Sequence, residues 1–199
     1  MELFLNKNIV EVGCDEAGRG CLAGPVFAAA VVLPNRFDLR IINDSKKMNK
    51  KQRDEMREYI ENNSLNWAVA SVNNQEIDNI NILQASILAM HRALQLLKCT
   101  FEHIIVDGNK FKNYNNIPHT CIIKGDGKYA SIAAASILAK THRDEYMNSI
   151  HNEYQVYKWN KNMGYPTNEH RNAIVENGIC KYHRKSFKLL PDNTLFDCL

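Results

Sequence analysis

Four acidic residues of this chain each stand at a point where a hydrophobic run meets a glycine. They are Asp15, Glu16, Asp107 and Asp126. Carboxylates at the ends of apolar strands are costly to bury together unless a cation neutralises them. Their oxygen atoms are the ligands that hard divalent cations prefer. The pattern therefore predicts a site for divalent metal ions.

A glycine-rich loop that carries one arginine follows the acidic pair directly. Gly18 and Gly20 flank Arg19. A backbone without side chains can approach a ligand closely, and an arginine between two glycines can reach a phosphate group. An acidic pair beside such a loop suits a metal-dependent enzyme that acts on a phosphodiester.

The same loop also matches the G-x-G-x-x-A fingerprint of dinucleotide-binding proteins over residues 18–23. In those proteins the fingerprint opens a helix whose N-terminus binds pyrophosphate. Here Gly24 and Pro25 follow, and after them a strand-like run instead of a helix. The sequence therefore argues against dinucleotide binding.

Length and composition indicate an ordinary globular protein. The chain has 199 residues, of which 45% are hydrophobic and 24% are charged, and this suits one soluble domain. Its apolar stretches are shorter than the roughly 18 residues of a membrane span, and the N-terminus lacks the pattern of a signal peptide. We therefore expect an intracellular, cytoplasmic protein that does not bind a membrane.

Basic residues and cysteines give weaker signals. The net charge is +3, and two basic clusters lie at 46–53 and 181–188. Such clusters are either solvated surfaces or contacts to a phosphate backbone, and the sequence leaves both open. We expect the six cysteines to be reduced. Cys180 and His183 have the spacing of metal ligands, but no second pair completes a zinc site.

Hydrophobic patterning predicts a mixed sheet flanked by helices. The expected strands are 9–14, 25–33, 65–72, 101–106 and 120–123. The expected helices are 49–60, 77–97, 128–146 and 168–177, the last capped by Thr167 or Asn168 and stopped by Gly178. Strands and helices do not alternate strictly, which favours a mixed sheet over a doubly wound parallel one. We expect a single domain over 1–199, in which about 150–199 is a small C-terminal helical part and tail.

The segment Asp15-Glu16-Ala17-Gly18-Arg19-Gly20, followed by Leu22-Ala23-Gly24-Pro25-Val26, resembles the signature of prokaryotic type 2 ribonuclease H, the ribonuclease HII family. Further segments are similar to that family and follow its order: 43–47, 106–108, 124–126, 131–144 and 164–170. Cys21, in place of a commoner proline or serine, and Thr141-His142 depart from the family pattern. The chain has no large N-terminal extension of the kind that type 3 enzymes carry, which favours type 2.

The resemblance implies a ribonuclease H-like α/β fold and a metal-dependent endoribonuclease. The four acidic residues would hold two Mg²⁺ or Mn²⁺ ions, with Asp144 as a rival to Asp126 that we interpret as a helix-face residue pairing with Arg143. The implied activity is cleavage of the RNA strand in RNA·DNA hybrids. It includes nicking on the 5′ side of a single ribonucleotide in duplex DNA, which leaves 5′-phosphate and 3′-hydroxyl ends and serves to remove ribonucleotides from DNA.

The resemblance also implies a set of substrate contacts. Gly18, Arg19 and Gly20 would read the ribose 2′-hydroxyl through backbone groups, although a simple tight turn is the alternative. Tyr165 would pack on the sugar on the 3′ side, or belong to the core. Contacts to phosphate are expected from Lys46, Lys140 and Arg143, with a solvated surface as the alternative for each. His170 would either contact phosphate or cap its helix.

We expect a monomer whose partners are RNA·DNA hybrid and ribonucleotide-containing duplex DNA. Two rival functions remain at this stage. One is a different metal-dependent nuclease on the same scaffold, against which the 18–20 loop and Tyr165 argue. The other is a non-catalytic hybrid-binding protein, which would gain nothing from four clustered carboxylates beside a phosphate.

Overall fold

The sheet is five-stranded and mixed, as expected. A computed structural model describes residues 1–39 and 49–191. The strands are β1 (Glu11–Ala17), β2 (Val26–Val32), β3 (Asn66–Val72), β4 (His103–Asp107) and β5 (His119–Ile122). Their order is β3-β2-β1-β4-β5, with β1, β2 and β3 antiparallel and with β4 and β5 parallel to β1. Each observed strand overlaps a predicted one.

Helices cover both faces of this sheet. They are α1 (Lys50–Asn63), α2 (Asn74–Ile80), α3 (Ile82–Leu96), α4 (Ala130–His151), α5 (Trp159–Asn162) and α6 (Asn168–Asn177). Along β2, Ala28 and Ala30 pack in the α3 layer, whereas Ala29 and Val31 pack in the layer of α1 and α4. This alternation follows from the two-residue period of a strand, and both faces of β2 are therefore apolar.

Helix α4 lies directly against the central strand β1. At Gly13 an added Cβ atom would be 2.3 Å from the backbone carbon of Ser131, so only glycine permits this approach. The alanines of 133–135 are buried on the same helix. Because the facing residues of β1 and α4 are small, the two elements pack closely. The side chains of the middle turns of α4 therefore lie next to the end of β1.

The predicted single helix over 77–97 is wrong, since the chain forms α2 and α3 with a break between them. Asn81 has φ 66° and ψ 163°, which lies outside the helical region and interrupts the helix. Its side chain accepts hydrogen bonds from the N–H groups of Leu83 and Gln84, which caps α3. Helical periodicity continues through the break because both helices face the same core, so the pattern alone did not show it.

The C-terminal part packs against the loop that follows β1. Helix α6 has the predicted bounds, with Thr167 as its cap and Gly178 at its end. Trp159 and Tyr157 pack with Leu22, Ala23 and the end of α4 in one buried cluster. In the described ranges, 1–39 and 49–191, no helix is long and apolar enough to cross a membrane. The C-terminal part therefore supports the segment next to the acidic pair.

Candidate active site

Strand register places three of the acidic residues together, at the C-terminal ends of two neighbouring strands. β1 and β4 are parallel neighbours, and Cys14 pairs with Val106. Asp15 and Asp107 each follow that pair directly, so they lie at the same level on the two neighbouring strands. Glu16 comes next on β1, which continues to Ala17. The acidic pair is thus part of a rigid strand and not of the loop after it.

Burial and mutual repulsion raise the pKa of the acidic pair. Asp15 is 6% exposed. Its pKa lies well above the ordinary value because of burial first, and then because of the charges of Glu16 and Asp107. Hydrogen bonds from Ser136 and from the Glu16 N–H, the latter 2.7 Å from Asp15 Oδ1, oppose this shift. The site is therefore short of positive charge.

One oxygen of Glu16 has no partner among the described residues. Its Oε1 accepts a hydrogen bond from Arg19 Nη1 at 3.0 Å, but its Oε2 is buried and unpaired. Burial raises the pKa of Glu16, and the adjacent guanidinium of Arg19 offsets part of that rise. A buried carboxylate oxygen without a donor is costly and calls for a cation.

Asp107 connects β4 to the turn that carries Asp126. Its Oδ1 accepts a hydrogen bond from the Gly125 N–H at 2.7 Å. Gly125 begins a single 3-10 turn, Gly125–Gly127, and Asp126 is the half-buried residue in its middle. The hydrogen bond from the Gly125 N–H to the Asp107 carboxylate therefore anchors the Asp126 turn beside the acidic pair.

These residues fit divalent cations by their chemistry. All four offer hard oxygen ligands, and the pair on β1 is buried, mutually repelling and partly unpaired. Over 1–39 and 49–191, no three His, Cys, Asp or Glu side chains already stand in a metal-binding arrangement. Metal ligation by these four residues stays a prediction.

A cleft of about 450 Å³ adjoins the acidic pair. Its lining includes Glu16, Gly18, Arg19, Gly20, Arg53, Ser136, Lys140 and Tyr165. The structure thus brings together the glycine-rich loop, a lysine of α4 and the exposed tyrosine, which lie far apart in sequence. Arg53 of α1 was not singled out from the sequence, because it was one cation in a basic run. Its place in the cleft comes from the packing of α1 on α4.

Comparison with known proteins identifies the family. The sequence profile described as Ribonuclease HII matches residues 12–190 of this chain. The chain belongs to the ribonuclease HII family. It is 63% identical over 194 residues to a ribonuclease HII of Christiangramia forsetii, with 98% of each chain covered. It is 60% identical over 192 residues to a ribonuclease HII of Bacteroides thetaiotaomicron, with 96% of each covered. The protein is accordingly a ribonuclease H, a phosphodiester hydrolase.

Solved structures confirm the ribonuclease H-like fold. The ribonuclease H2 from Pyrococcus horikoshii superposes with a TM-score of 0.72 at 23% identity, covering 90% of this chain and 94% of that one. The RNase HII of Archaeoglobus fulgidus, solved in complex with PCNA, gives 0.75 at 24%, covering 94% and 98%. Bst-RNase HIII in complex with Mn²⁺ gives 0.70 at 19%, covering 91% and 68%.

Within this ribonuclease HII fold, Arg143 is not a phosphate contact, and that prediction is wrong. The side chain is 1% exposed. It donates hydrogen bonds to the carbonyl oxygens of Ala23 (3.1 Å), Pro25 (3.0 Å) and Met163 (2.8 Å). Its packing against Gly18 is so close that an added Cβ there would be 2.0 Å from Arg143 Nε. Arg143 therefore supports the loop from inside.

The predicted pairing of Asp144 with Arg143 is also wrong. Asp144 forms an ion pair with Lys140, four residues earlier on α4. Lys140 remains on the cleft, so its predicted phosphate contact is compatible with the structure. The ion pair keeps the ammonium group near that surface of the helix.

His170 takes neither of its two predicted roles. The ring is fully buried, and the helix cap is Thr167, whose Oγ1 accepts from the His170 N–H at 3.2 Å. Nδ1 lies 2.9 Å from the Tyr165 carbonyl oxygen and donates to it, while Nε2 accepts from Trp159 Nε1 at 3.0 Å. His170 therefore fixes the backbone of Tyr165.

Two further sequence predictions have different outcomes. Lys46 and the segment 43–47 lie outside the described residues. The basic cluster 181–188 contains Arg184, which is fully buried and binds the carbonyl oxygens of Gly18 and Arg19. No signal in the sequence distinguishes this arginine from its exposed basic neighbours.

Proposed function

We propose that this ribonuclease H nicks duplex DNA on the 5′ side of a single embedded ribonucleotide, in addition to cleaving the RNA strand of RNA·DNA hybrids. The products carry 5′-phosphate and 3′-hydroxyl ends. One observation carries the proposal: Glu16, next to the buried Asp15, lines the same cleft as the exposed residues Arg19 and Gly20. A hydrolytic centre and a backbone able to bind a ribose hydroxyl are thereby side by side.

We infer that Asp15, Glu16, Asp107 and Asp126 hold two Mg²⁺ or Mn²⁺ ions. The unpaired Glu16 Oε2 and the raised pKa of Asp15 support this, because both report a local lack of positive charge. Bound ions of this kind supply activation of a water nucleophile and stabilisation of the leaving 3′-oxygen. The Mn²⁺ in the structure of Bst-RNase HIII is in keeping with the inference.

The basic residues of the cleft suit the phosphate groups of the cleaved strand. Arg19 is half-exposed on its side chain and is held by Glu16. Lys140 and Arg53 line the same cleft from α4 and α1. Cations that line a groove neutralise a phosphate backbone without reading its sequence.

Recognition of the ribonucleotide falls to the loop and to Tyr165. The N–H groups of Arg19 and Gly20 can bond to the 2′-hydroxyl, which is the group that distinguishes RNA from DNA at one position. Tyr165 is 38% exposed at the cleft, and its backbone is fixed by His170. Its ring would pack on the next sugar on the 3′ side, where an added hydroxyl is disfavoured.

A cleavage assay on matched duplexes tests the proposal. The substrates have one sequence and differ only in composition: all DNA, DNA with one ribonucleotide, and a full RNA·DNA hybrid. Each is incubated with Mg²⁺, Mn²⁺ or a chelator, and the product ends are mapped against size ladders with and without phosphatase treatment. We expect a metal-dependent nick 5′ to the ribonucleotide and none in the all-DNA duplex. Glu176→Gln, which changes an exposed carboxylate of α6, is the matched control and keeps full activity.

Each alternative outcome points to a specific rival. Cleavage of the hybrid without the single-ribonucleotide nick would contradict the roles of the loop and Tyr165 while keeping the metal site. Cutting of all-DNA junctions would favour a different nuclease on this scaffold. Binding of the hybrid without any cleavage would favour a non-catalytic binder. The expected monomeric state and cytoplasmic location stay predictions, the first open to light scattering of the purified protein.

A further inference from the structure

Arg184 binds the glycine-rich loop from the interior of the protein. Its side chain is fully buried, with 0% of the residue accessible to solvent. Nη2 donates to the Gly18 carbonyl oxygen at 2.8 Å, Nη1 to that of Arg19 at 2.9 Å and Nε to that of Gly24 at 2.9 Å. The guanidinium therefore uses all three of its nitrogen atoms on one loop.

The backbone around Arg184 is docked on the same loop. The Arg184 N–H donates to the Leu22 carbonyl oxygen at 2.8 Å, and the Gly24 N–H donates to that of Tyr182 at 2.9 Å. Because main chain and side chain both bind the loop, the C-terminal part has little freedom to move relative to it. The directions of the carbonyls that Arg184 binds are thereby fixed.

Inward carbonyl groups force the next N–H groups outward. In a trans peptide the C=O of one residue and the N–H of the next point in opposite directions, and the described chain contains no cis peptide. With the Gly18 and Arg19 carbonyls bound by Arg184, the N–H groups of Arg19 and Gly20 face the cleft. Within the described part of the chain these two N–H groups donate to no other group.

The charge of Arg184 strengthens the same two donors. Burial lowers the pKa of the guanidinium to about 10, which leaves it cationic at neutral pH. A cation bonded to a carbonyl polarises the whole peptide group, so its N–H becomes a better hydrogen-bond donor. Successive outward N–H groups with positive charge behind them form a concavity that favours hydroxyl and phosphate oxygens.

We propose that Arg184 is a positioning residue for ribonucleotide recognition. It holds the Gly18 and Arg19 carbonyls inward and so presents the Arg19 and Gly20 N–H groups to the ribose 2′-hydroxyl and its phosphate. This inference rests on the proposed function, in which the loop reads the ribose. It adds a residue from the far end of the chain that does not itself touch the substrate.

Binding selectivity of an Arg184→Lys variant tests the proposal. Lysine keeps the charge, but its single ammonium cannot bond three carbonyls in the geometry of a guanidinium fork. Dissociation constants are measured by fluorescence anisotropy, without divalent metal ions, for two duplexes that differ only in one 2′-hydroxyl. We expect the preference for the ribonucleotide duplex to fall about tenfold, the effect of losing one well-placed hydrogen bond. Affinity for the all-DNA duplex should stay unchanged.

Arg171→Lys is the matched control, since Arg171 also donates to a backbone carbonyl of the C-terminal part, that of Leu189, without contacting the loop. It should keep the wild-type preference. An unchanged preference in a folded Arg184→Lys variant would overturn the proposal. So would an equal loss of affinity for both duplexes, because a merely structural role predicts that result. A wild-type protein that shows no preference would instead refute the proposed function, and this inference with it.

Amide measurements on the wild-type protein cover the case in which Arg184→Lys does not fold. In ¹⁵N-labelled protein the Arg19 and Gly20 amides should exchange rapidly with solvent. The ribonucleotide duplex should slow this exchange and shift both resonances more than the all-DNA duplex does. Protected amides in the free protein would show that the two N–H groups do not face outward, and would overturn the proposal without any substitution.

Discussion

Two neighbouring regions of the molecule bury charge in opposite ways. At the end of β1 and β4, Asp15 and Glu16 are buried close to Asp107, repel it and leave one oxygen unpaired. Behind the 18–25 loop, Arg143 and Arg184 are equally buried, yet each donates to three backbone carbonyl oxygens. The acidic region leaves one carboxylate oxygen, Glu16 Oε2, without a partner, whereas each guanidinium nitrogen of the two arginines donates to a carbonyl oxygen.

This difference distinguishes residues that could bind a ligand from residues that support the structure. A buried charge that is fully hydrogen-bonded contributes to structure, because its partners are inside the protein. A buried charge that lacks partners indicates a functional site, where a ligand or ion from outside the protein can neutralise it. By this criterion the carboxylates are the candidates for metal binding and the two arginines support the loop, although the sequence suggested that Arg143 would bind substrate.

The largest expected effect is on catalysis. Asp107→Asn removes one carboxylate charge while its amide oxygen can still accept from the Gly125 N–H. If Asp107 is a metal ligand as proposed, its loss removes most of the charge stabilisation, so we expect kcat/KM on the single-ribonucleotide duplex to fall at least about a thousandfold. Binding of the hybrid should persist. Activity that survives in Asp107→Asn, with Glu176→Gln as control, would refute the assignment of the metal site.

The next effect is on stability at the basic region. Arg143→Met removes the donors of three buried carbonyl groups, so the free energy of unfolding should fall by about 3 to 5 kcal/mol. Urea denaturation measures this. Arg57→Met is the control, since Arg57 is partly exposed and pairs with Glu61 and Glu145, and it should cost less than about 1 kcal/mol. Equal losses in the two variants would contradict the distinction between the regions.

Acid should destabilise the C-terminal part that supports the loop, through the buried ring of His183. Burial, and the proximity of His170, lower the pKa of His183 to about 4 from an ordinary 6.5. The unfolded chain therefore takes up a proton first as pH falls, and stability should decline between pH 6.5 and 4, by up to about 3 kcal/mol. Urea denaturation across this range checks the slope.

In the wild-type protein His183 Nδ1 accepts a hydrogen bond from the Cys180 N–H at 3.0 Å. His183→Asn keeps an acceptor for this N–H but cannot be protonated in this range, so it should flatten the decline of stability with falling pH. The same substitution at the exposed His119 is the control. An unchanged slope in His183→Asn would show that this ring does not govern the acid response. The raised pKa of Asp15 acts in the opposite sense, because the folded protein then binds its proton more readily than the unfolded chain.

The smallest expected effect is a gain in stability at the acidic region. In metal-free protein, Asp15→Asn removes a charge that Glu16 and Asp107 repel, and should raise the free energy of unfolding by about 1 kcal/mol. The gain should be larger at pH 8 than at pH 5, since the raised pKa leaves more of the wild-type carboxyl protonated in acid. Thermal denaturation with and without Mn²⁺ measures both properties. A loss of stability in Asp15→Asn would mean that the carboxylate is already well partnered.

Much of this organisation could be predicted from the sequence because its signals are local. The acidic residues, the glycine-rich loop and the apolar strands are short contiguous patterns, and their order along the chain identified the family. Helix α6 was placed correctly because Thr167 and Gly178 mark its ends. The helix break at Asn81 was missed, since the periodic pattern continues across a single residue with positive φ.

The sequence by itself determined the fold class and the family, and it predicted the acidic residues of the site. Only the tertiary structure decided which cations face the cleft and which are buried. Arg184 lies 165 residues from Arg19, whose carbonyl it binds, and no local pattern marks such a contact. Burial depends on which distant segments pack together. For that reason a basic run that reads as solvated surface can contain the residue that fixes the loop.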